Sequence, residues 1–533
     1  MSSARGREAD ALQESSRDRN SRERIPILRT AEPGWIATVR RVPLLSGSRV
    51  VLVPVGDEDV VLQPPSPPLR IVDVAAAVRD ALRFPLAGPP LEEIATRGGR
   101  ATLLVEPAAF PVPGAPQDAR QTAIAVAIAE LERCGIPDER QTILVAGGLG
   151  RRFGQHDLEQ LLSRPQARAF RGRVAVHDAD DPRLEPIVDD IRINPALVDT
   201  DVVLSVTAAE TILHGGPGAF VAACDAATVR SVAAVESLLE ASGSPAWALA
   251  LRLEAALGER VALAGVSLVL DLPRLTGRYR GYPHNDGAVA RVARSPLRTG
   301  FSFLPGPFRR DILSRYGRRM TATGAFAGTP SIAHAEALLR GIARRGARLS
   351  EPVDALVVGV PWIGPHVPRE QLNPITTAAI ALGLALRLRR DAFPLRPDGT
   401  VVLLHPLTRS FAPGTQAPYA AMFDALRTIQ SSNDLIESER AAASDERALA
   451  AYRSGKACHP LLPYADWAGC APPLSRLGRV VVAGCRDAVA ARTLGFVPSH
   501  GIGSALEMAH GVAGGRARIG VLLAPPYAPL LVG

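Results

Sequence analysis

The stretch TILVAGGLGRRFG, residues 142–154, decides how the fold is read. Its first half is an apolar, β-branched run. It stops at Gly147, Gly148 and Gly150, with Arg151 and Arg152 directly behind. A short continuous apolar run bounded by glycines is what a strand buried on both faces requires. The glycines permit a tight turn at its carboxyl end, with a helix expected beyond. Backbone N–H groups and two guanidinium forks would then meet where a phosphate or carboxylate could bind. The same residues also suit a turn with no ligand. Gly147, Gly148, Arg151 and Arg152 are therefore carried forward as candidate binding residues.

The pattern repeats on either side. Apolar runs at 50–55, 101–105, 174–176, 202–206 and 261–270 read as buried strands. Helical spacing of Ile124, Ile128 and Leu131 marks a helix over 118–134. Strand alternating with helix implies a largely parallel sheet with right-handed crossovers. After a polar, Gly/Pro-punctuated stretch at 272–307, a second series begins. It has helices at 331–345 and 374–388, strands at 355–360, 401–404 and 479–483, and a solvent-facing helix at 437–453. The expected architecture is α/β, with two α/β domains, largely parallel sheets and an interdomain cleft. The division falls between 275 and 310 and is taken at 290/291: a disordered tail over 1–34, an N-terminal domain over 35–290 and a C-terminal domain over 291–533. The Pro-rich 63–69 reads as a linker.

A chain of 533 residues, 47% hydrophobic, can bury two ordinary cores. Its longest apolar runs, such as 375–388, fall short of the ~20 residues that span a bilayer. The Ser/Arg-rich start has no apolar h-region, so no secretory signal is expected, and the expected location is cytoplasmic. Five cysteines without a CxxC pair read as reduced thiols. The net charge of +8 is spread as scattered arginines without an aromatic-interleaved stripe, which argues against nucleic acid. Lys456 is the only lysine in the chain.

Three segments in order carry a resemblance: LLVEPAAFPVPGAPQDARQT upstream of the glycine turn, the turn itself, and VHDADDP downstream. With GVPWIGPHVPREQLNPI at 359–375 and LLHPLTRSFAP at 403–413, they resemble the lactate-racemase-like family and its longer relatives. The likeness runs from about residue 100 to the end. It implies a racemase or epimerase of a small 2-hydroxy acid that uses a nickel-pincer nucleotide tethered to a lysine. Set against that scheme, this chain departs at most of the needed positions. The carboxylate-clamping Arg falls at Phe110 and the general-base His at Gly150. The tether loop corresponds to 210–220, which retains Gly215, Gly216 and Gly218 without a lysine, and the nickel-ligand His after it is missing. The second-domain Tyr-Gln and Lys fall near Ile375, Thr376 and Ala379. The resemblance therefore implies the cofactor while the residues withhold its tether.

What remains is a set of candidates, each with two readings. His177 with Asp178, Asp180 and Asp181 forms an acid–base or metal cluster, or a strand-end turn with Asp caps. His214 takes over proton transfer two positions from the family's His, at Ile212, or is a loop histidine beside Gly215 and Gly216. Cys458, His459 and Cys470 match no standard zinc spacing, and no metal site is assigned. His366 and His405 stand in post-strand loops, either at a ligand or in ordinary turns. The expected partner is a small carboxylate or phosphate. Two functions stay open: a divergent isomerase of 2-hydroxy acids, or a non-catalytic scaffold that binds a ligand or a partner. The isomerase reading expects His177, His214 and Arg151 in one cleft facing His366.

Overall fold

The computed structural model describes residues 40–107, 118–272, 275, 277–315, 321–362, 370–514 and 517–533. Two six-stranded sheets organise them. The first runs, edge to edge, Ala322–Gly328, Ala262–Leu270, Val202–Ala208, Ala101–Val105, Gln141–Val145 and Arg173–Val176; only Ala322–Gly328 is antiparallel to its neighbour. The second runs Val497–Ser499, Leu477–Ala483, Leu395–Leu404, Val353–Gly359, Ile519–Leu522 and Val60–Leu62, parallel throughout. This is the α/β class with largely parallel sheets that the alternating pattern predicts.

Both faces of each sheet are covered, which is why the strands read as continuous apolar runs. Leu103, Val105, Ile143 and Val145 pack on one side of the first sheet with Ile124 and Leu131 of the helix Ala119–Arg133. Leu104 and Leu144 pack on the other with Phe220, Leu253 and Leu257. In the second sheet Leu356, Val358, Val401 and Val480 face one core, and Val357, Val402 and Val481 the other. That helix is capped by Asp118, whose side chain accepts the N–H of Arg120.

The sheets do not divide the chain at one point. Ala322–Gly328 lies beyond 290/291 and closes the first sheet, while Val60–Leu62 comes from before it and closes the second. The polar stretch 272–307 contains the helices Asp286–Arg294 and Pro296–Phe303 and the start of Gly306–Arg315. The solvent-facing helix expected at 437–453 is two helices, Ser432–Ala443 and Glu446–Arg453, and the second buries Leu449 and Tyr452. The helix expected at 374–388 is an α-turn, Pro374–Ala378, continued by a π-helical segment, Ala379–Ala385. Among the described residues no helix is long and apolar enough to cross a membrane.

The first sheet fixes where a ligand can sit. Its chain order runs outward from Ala101–Val105 in one direction, then returns to Val202–Ala208 and runs outward in the other. The switch point lies between those two strands, and crevices in such sheets open at the carboxyl ends there.

Tyr452 ties the two lobes together. Its hydroxyl accepts the Ala179 N–H at 3.1 Å and donates to the Gly148 carbonyl at 3.4 Å. Its ring is fully buried. Tyr452→Phe keeps the ring and strands a buried N–H, so a loss of about 2 kcal/mol is expected in denaturant unfolding. An unchanged unfolding midpoint would show that the hydroxyl contributes nothing to the seam.

Candidate functional site

At the switch point the strand Ala101–Val105 delivers Glu106, and the loop after Val202–Ala208 delivers residues 211–218. The Gly215 backbone N–H donates to the Glu106 carboxyl. The loop holds its shape through glycines in the left-handed region, Gly215 at φ 90° and Gly216 at φ 52°. Gly216 N–H donates to Thr207 Oγ1 at 2.9 Å. A Cβ on Gly216 would fall 2.3 Å from His334 Cβ, and one on Gly215 would fall 2.4 Å from the Ala208 carbonyl oxygen. Neither position has room for a side chain.

Between the lobes lies a cavity of about 260 Å³. The first lobe lines it with Glu106, Gly147–Arg151 and His214, and the second with Thr376, Ala379, Gly383, Arg387, Asp466 and Gly469. Thr376 and Ala379 come from the α-turn and π-segment, and π-segments recur where helices serve a site. Asp466 accepts the Tyr419 hydroxyl at 2.6 Å, and Thr376 is hydrogen-bonded to the same tyrosine. Burial raises the Glu106 carboxyl to about 8, against a smaller lowering by the Gly215 N–H. It is therefore largely protonated at neutral pH and titrates close to it.

The sequence-chosen residues divide. Gly147, Gly148, Arg151 and His214 line the cavity. His214 stands exposed on its rim, with Nδ1 3.0 Å from Thr211 Oγ1. The glycine turn is not an open phosphate cradle. Gly148 N–H donates to Ala222 O and Gly150 N–H to Gly147 O, and the turn leads into a short 3-10 segment, Gln155–Gln160, instead of a helix. The arginines are engaged too. Arg151 pairs with Asp157 at 2.8 Å and reaches Gly455 O, while Arg152 donates to Arg453 O at 2.6 Å and lies 3.5 Å from Asp178. They join the lobes.

His177 lies outside the cavity. It is buried; Nε2 donates to Cys224 O at 2.8 Å, and Nδ1 accepts from Asn194 at 3.2 Å. Desolvation pulls its pKa down to about 4, so it is a neutral structural link. Asp178 and Asp181 accept the N–H groups of Asp180 and Arg183, the capping role weighed above. Asp180 instead receives His459 Nε2 at 2.7 Å, a further contact between the lobes. His405 is buried, its Nδ1 accepting the Leu407 N–H. His366 and Phe110 lie outside the described residues.

Three groups of the cavity were not selected from sequence: Glu106, Arg387 and Asp466. Glu106 carried a signal, being an acidic residue directly after a buried strand. Arg387 carried a weaker one, a lone charge near the end of the apolar run 375–388. Asp466 carried none, because which face of its helix meets the other lobe depends on docking.

Two doubly wound lobes with a small, mostly apolar cavity between them, into which a few polar groups are set, define an α/β protein with an interlobe cleft. Residues 47–209 match the family model of the lactate racemase N-terminal domain. The lactate racemase apoprotein from Thermoanaerobacterium thermosaccharolyticum is similar in structure at TM-score 0.60 and 13% identity, over 92% of this chain and 100% of that one. A Thermotoga maritima protein from a structural genomics programme is similar at TM-score 0.49 and 11% identity, over 88% of this chain and 100% of that one. No curated protein matches.

The cofactor implied by the resemblance can be tested against these residues. The loop that would carry the tether has no lysine, and its glycines abut His334 and a carbonyl oxygen. Lys456 is exposed, next to the Gly455 carbonyl that Arg151 reaches, and it is not part of the cavity wall. Among the described residues no group of three His, Cys, Asp or Glu is arranged to hold a metal. The residues present do not fit a lysine-tethered pincer.

Proposed function

We propose that this chain is a divergent relative of the lactate racemases that binds a small carboxylate, of the size of a 2-hydroxy acid, in the cavity between its lobes. The observation that carries the reading is the pairing at the switch point. A carboxyl titrating near neutrality, Glu106, stands with His214 in one small cavity. Such a carboxyl can both donate and accept a proton at physiological pH, as an isomerase of hydroxy acids requires. The scaffold alternative uses the same cavity for binding alone. We place the protein in the cytoplasm, where its five free cysteines stay reduced.

Two measurements test this. Titration of the purified protein with lactate and related 2-hydroxy acids should raise its melting temperature, and chiral chromatography then separates isomerase from scaffold. An absence of any shift across the panel sinks the ligand reading. Intact-mass analysis after co-expression with cofactor-making enzymes should return the unmodified chain. An adduct mass would restore a tethered cofactor at Lys456 or elsewhere.

A further inference from the structure

Arg387 follows the π-segment Ala379–Ala385 and sends its guanidinium into the cavity wall, where the residue is only 4% exposed. Nη1 donates to Gly469 O at 3.0 Å and Nη2 to Ala233 O at 2.9 Å, so it bridges the two lobes through neutral carbonyls. Its Nε is buried and has no hydrogen-bond partner. The fold makes room for it: a Cβ on Gly469 would fall 2.5 Å from Nη1.

No carboxylate answers this charge among the described residues. The one whose charge reaches it, Glu236, is taken by Arg389 at 3.6 Å and Arg476 at 3.3 Å. Desolvation lowers the Arg387 pKa, but only to about 10, so it stays a cation at neutral pH. A buried cation without a counter-charge is destabilising unless something else supplies the charge. Of the other charged groups lining the cavity, Arg151 is itself a cation paired with Asp157, and Asp466 accepts the Tyr419 hydroxyl while the Arg387 N–H groups go to the Gly469 and Ala233 carbonyls instead. Glu106 is largely protonated and faces Gly215.

We propose that Arg387 is the anion anchor of the cavity, and that the ligand is a small organic acid or a phosphate seated with its charge on this guanidinium and its other end toward Glu106 and His214. This rests on the ligand-cavity reading above and adds to it the group that selects charge. It also moves anion recognition from the glycine turn, where Arg151 and Arg152 are occupied, to the second lobe.

The test compares three probes on the full chain: 2-hydroxypropanoate, its uncharged amide, and inorganic phosphate. Each is titrated by calorimetry into the parent, Arg387→Gln and Arg387→Lys. The parent should bind the acid or phosphate and ignore the amide. Arg387→Gln should weaken anion binding at least about tenfold, and Arg387→Lys should weaken it less, because a charge-assisted bond is lost in one and reshaped in the other. A purely bridging arginine would lower the melting temperature of both variants while leaving the dissociation constant of the folded protein unchanged, and that outcome overturns the anchor. Equal binding of acid and amide overturns it as well, and does so even when Arg387→Gln fails to fold. Binding of phosphate alone supports the anchor and assigns the ligand class. A parent that binds neither anion overturns the cavity reading itself.

Discussion

Gly216→Ala should cost at least about 3 kcal/mol and sharply reduce the yield of folded protein, because steric overlap adds to backbone strain. At φ 52° the residue sits in the left-handed region, where a side chain alone costs about 1–2 kcal/mol. The larger part is the contact with His334, since the new Cβ would stand 2.3 Å from that residue's Cβ and 2.6 Å from its Cγ. His334 cannot yield. Its Nε2 donates to Thr211 O at 2.9 Å, its Nδ1 lies 3.3 Å from Ser267 Oγ, and its ring stacks with Trp247 at 6.0 Å between centroids. It is fully buried, and desolvation pulls its pKa down to about 4, so it serves as a neutral post. Gly243→Ala is the control: its φ of 71° carries the same backbone strain, but its Cβ meets nothing within 4 Å. The difference between the two variants in denaturant unfolding isolates the overlap. Costs that agree within about 1 kcal/mol would mean that His334 gives way, and that the loop is less tightly built than its geometry implies.

The same loop shows what the sequence could and could not disclose. Runs such as 101–105, 202–206 and 261–270 are apolar throughout because a parallel strand covered on both faces has no wet side, and that signal survives without neighbours. Gly215 and Gly216 were visible as glycines, but their reason was not, since His334 arrives from a helix more than a hundred positions later. Ile519–Leu522 is an interior strand of the second sheet, next to its edge, yet lies in a short apolar stretch before Pro525 and Pro526, where a four-residue strand is hard to distinguish from a loop. Val60–Leu62 was hidden in the same way by the prolines after it. The Ala- and Glu-rich pattern around Tyr452 points to a solvated helix because it reports composition, while the burial of Tyr452 comes from docking against Ala179 and Gly148. The site divides along this line. Residues that follow a strand, such as Glu106 and the glycine turn, can be found from local pattern. Arg387 and Asp466 belong to helix faces whose partners are chosen only when the lobes meet.

The second large effect is a pH dependence centred on Glu106. Its carboxyl has an ordinary value of 4.5 and is raised in the folded protein to about 8, first by desolvation and against the smaller opposing pull of the Gly215 N–H. For an acid raised in this way the fold prefers the neutral form. Below about pH 4.5 both states hold the proton and the group costs nothing. Between about 4.5 and 8 the unfolded chain releases its proton while the fold keeps it, so stability falls as pH rises. Above about 8 the fold carries a buried carboxylate, and the loss levels off. The full shift corresponds to about 5 kcal/mol; solvent reaching Glu106 from the cavity screens the charge, so about 2–4 kcal/mol is expected. Glu106→Gln keeps an acceptor for the Gly215 N–H and removes the titration. Melting curves of parent and variant should therefore converge near pH 5 and separate progressively toward pH 9, with the variant the more stable. Taking the difference cancels the histidines and other carboxylates, which titrate alike in both proteins. The same measurement bears on chemistry, because only a group that changes charge near neutrality can pass a proton both ways at working pH. Parallel curves across that range would place Glu106 in contact with solvent, ionised and unremarkable, and the proton-transfer role proposed for it would have to pass to His214.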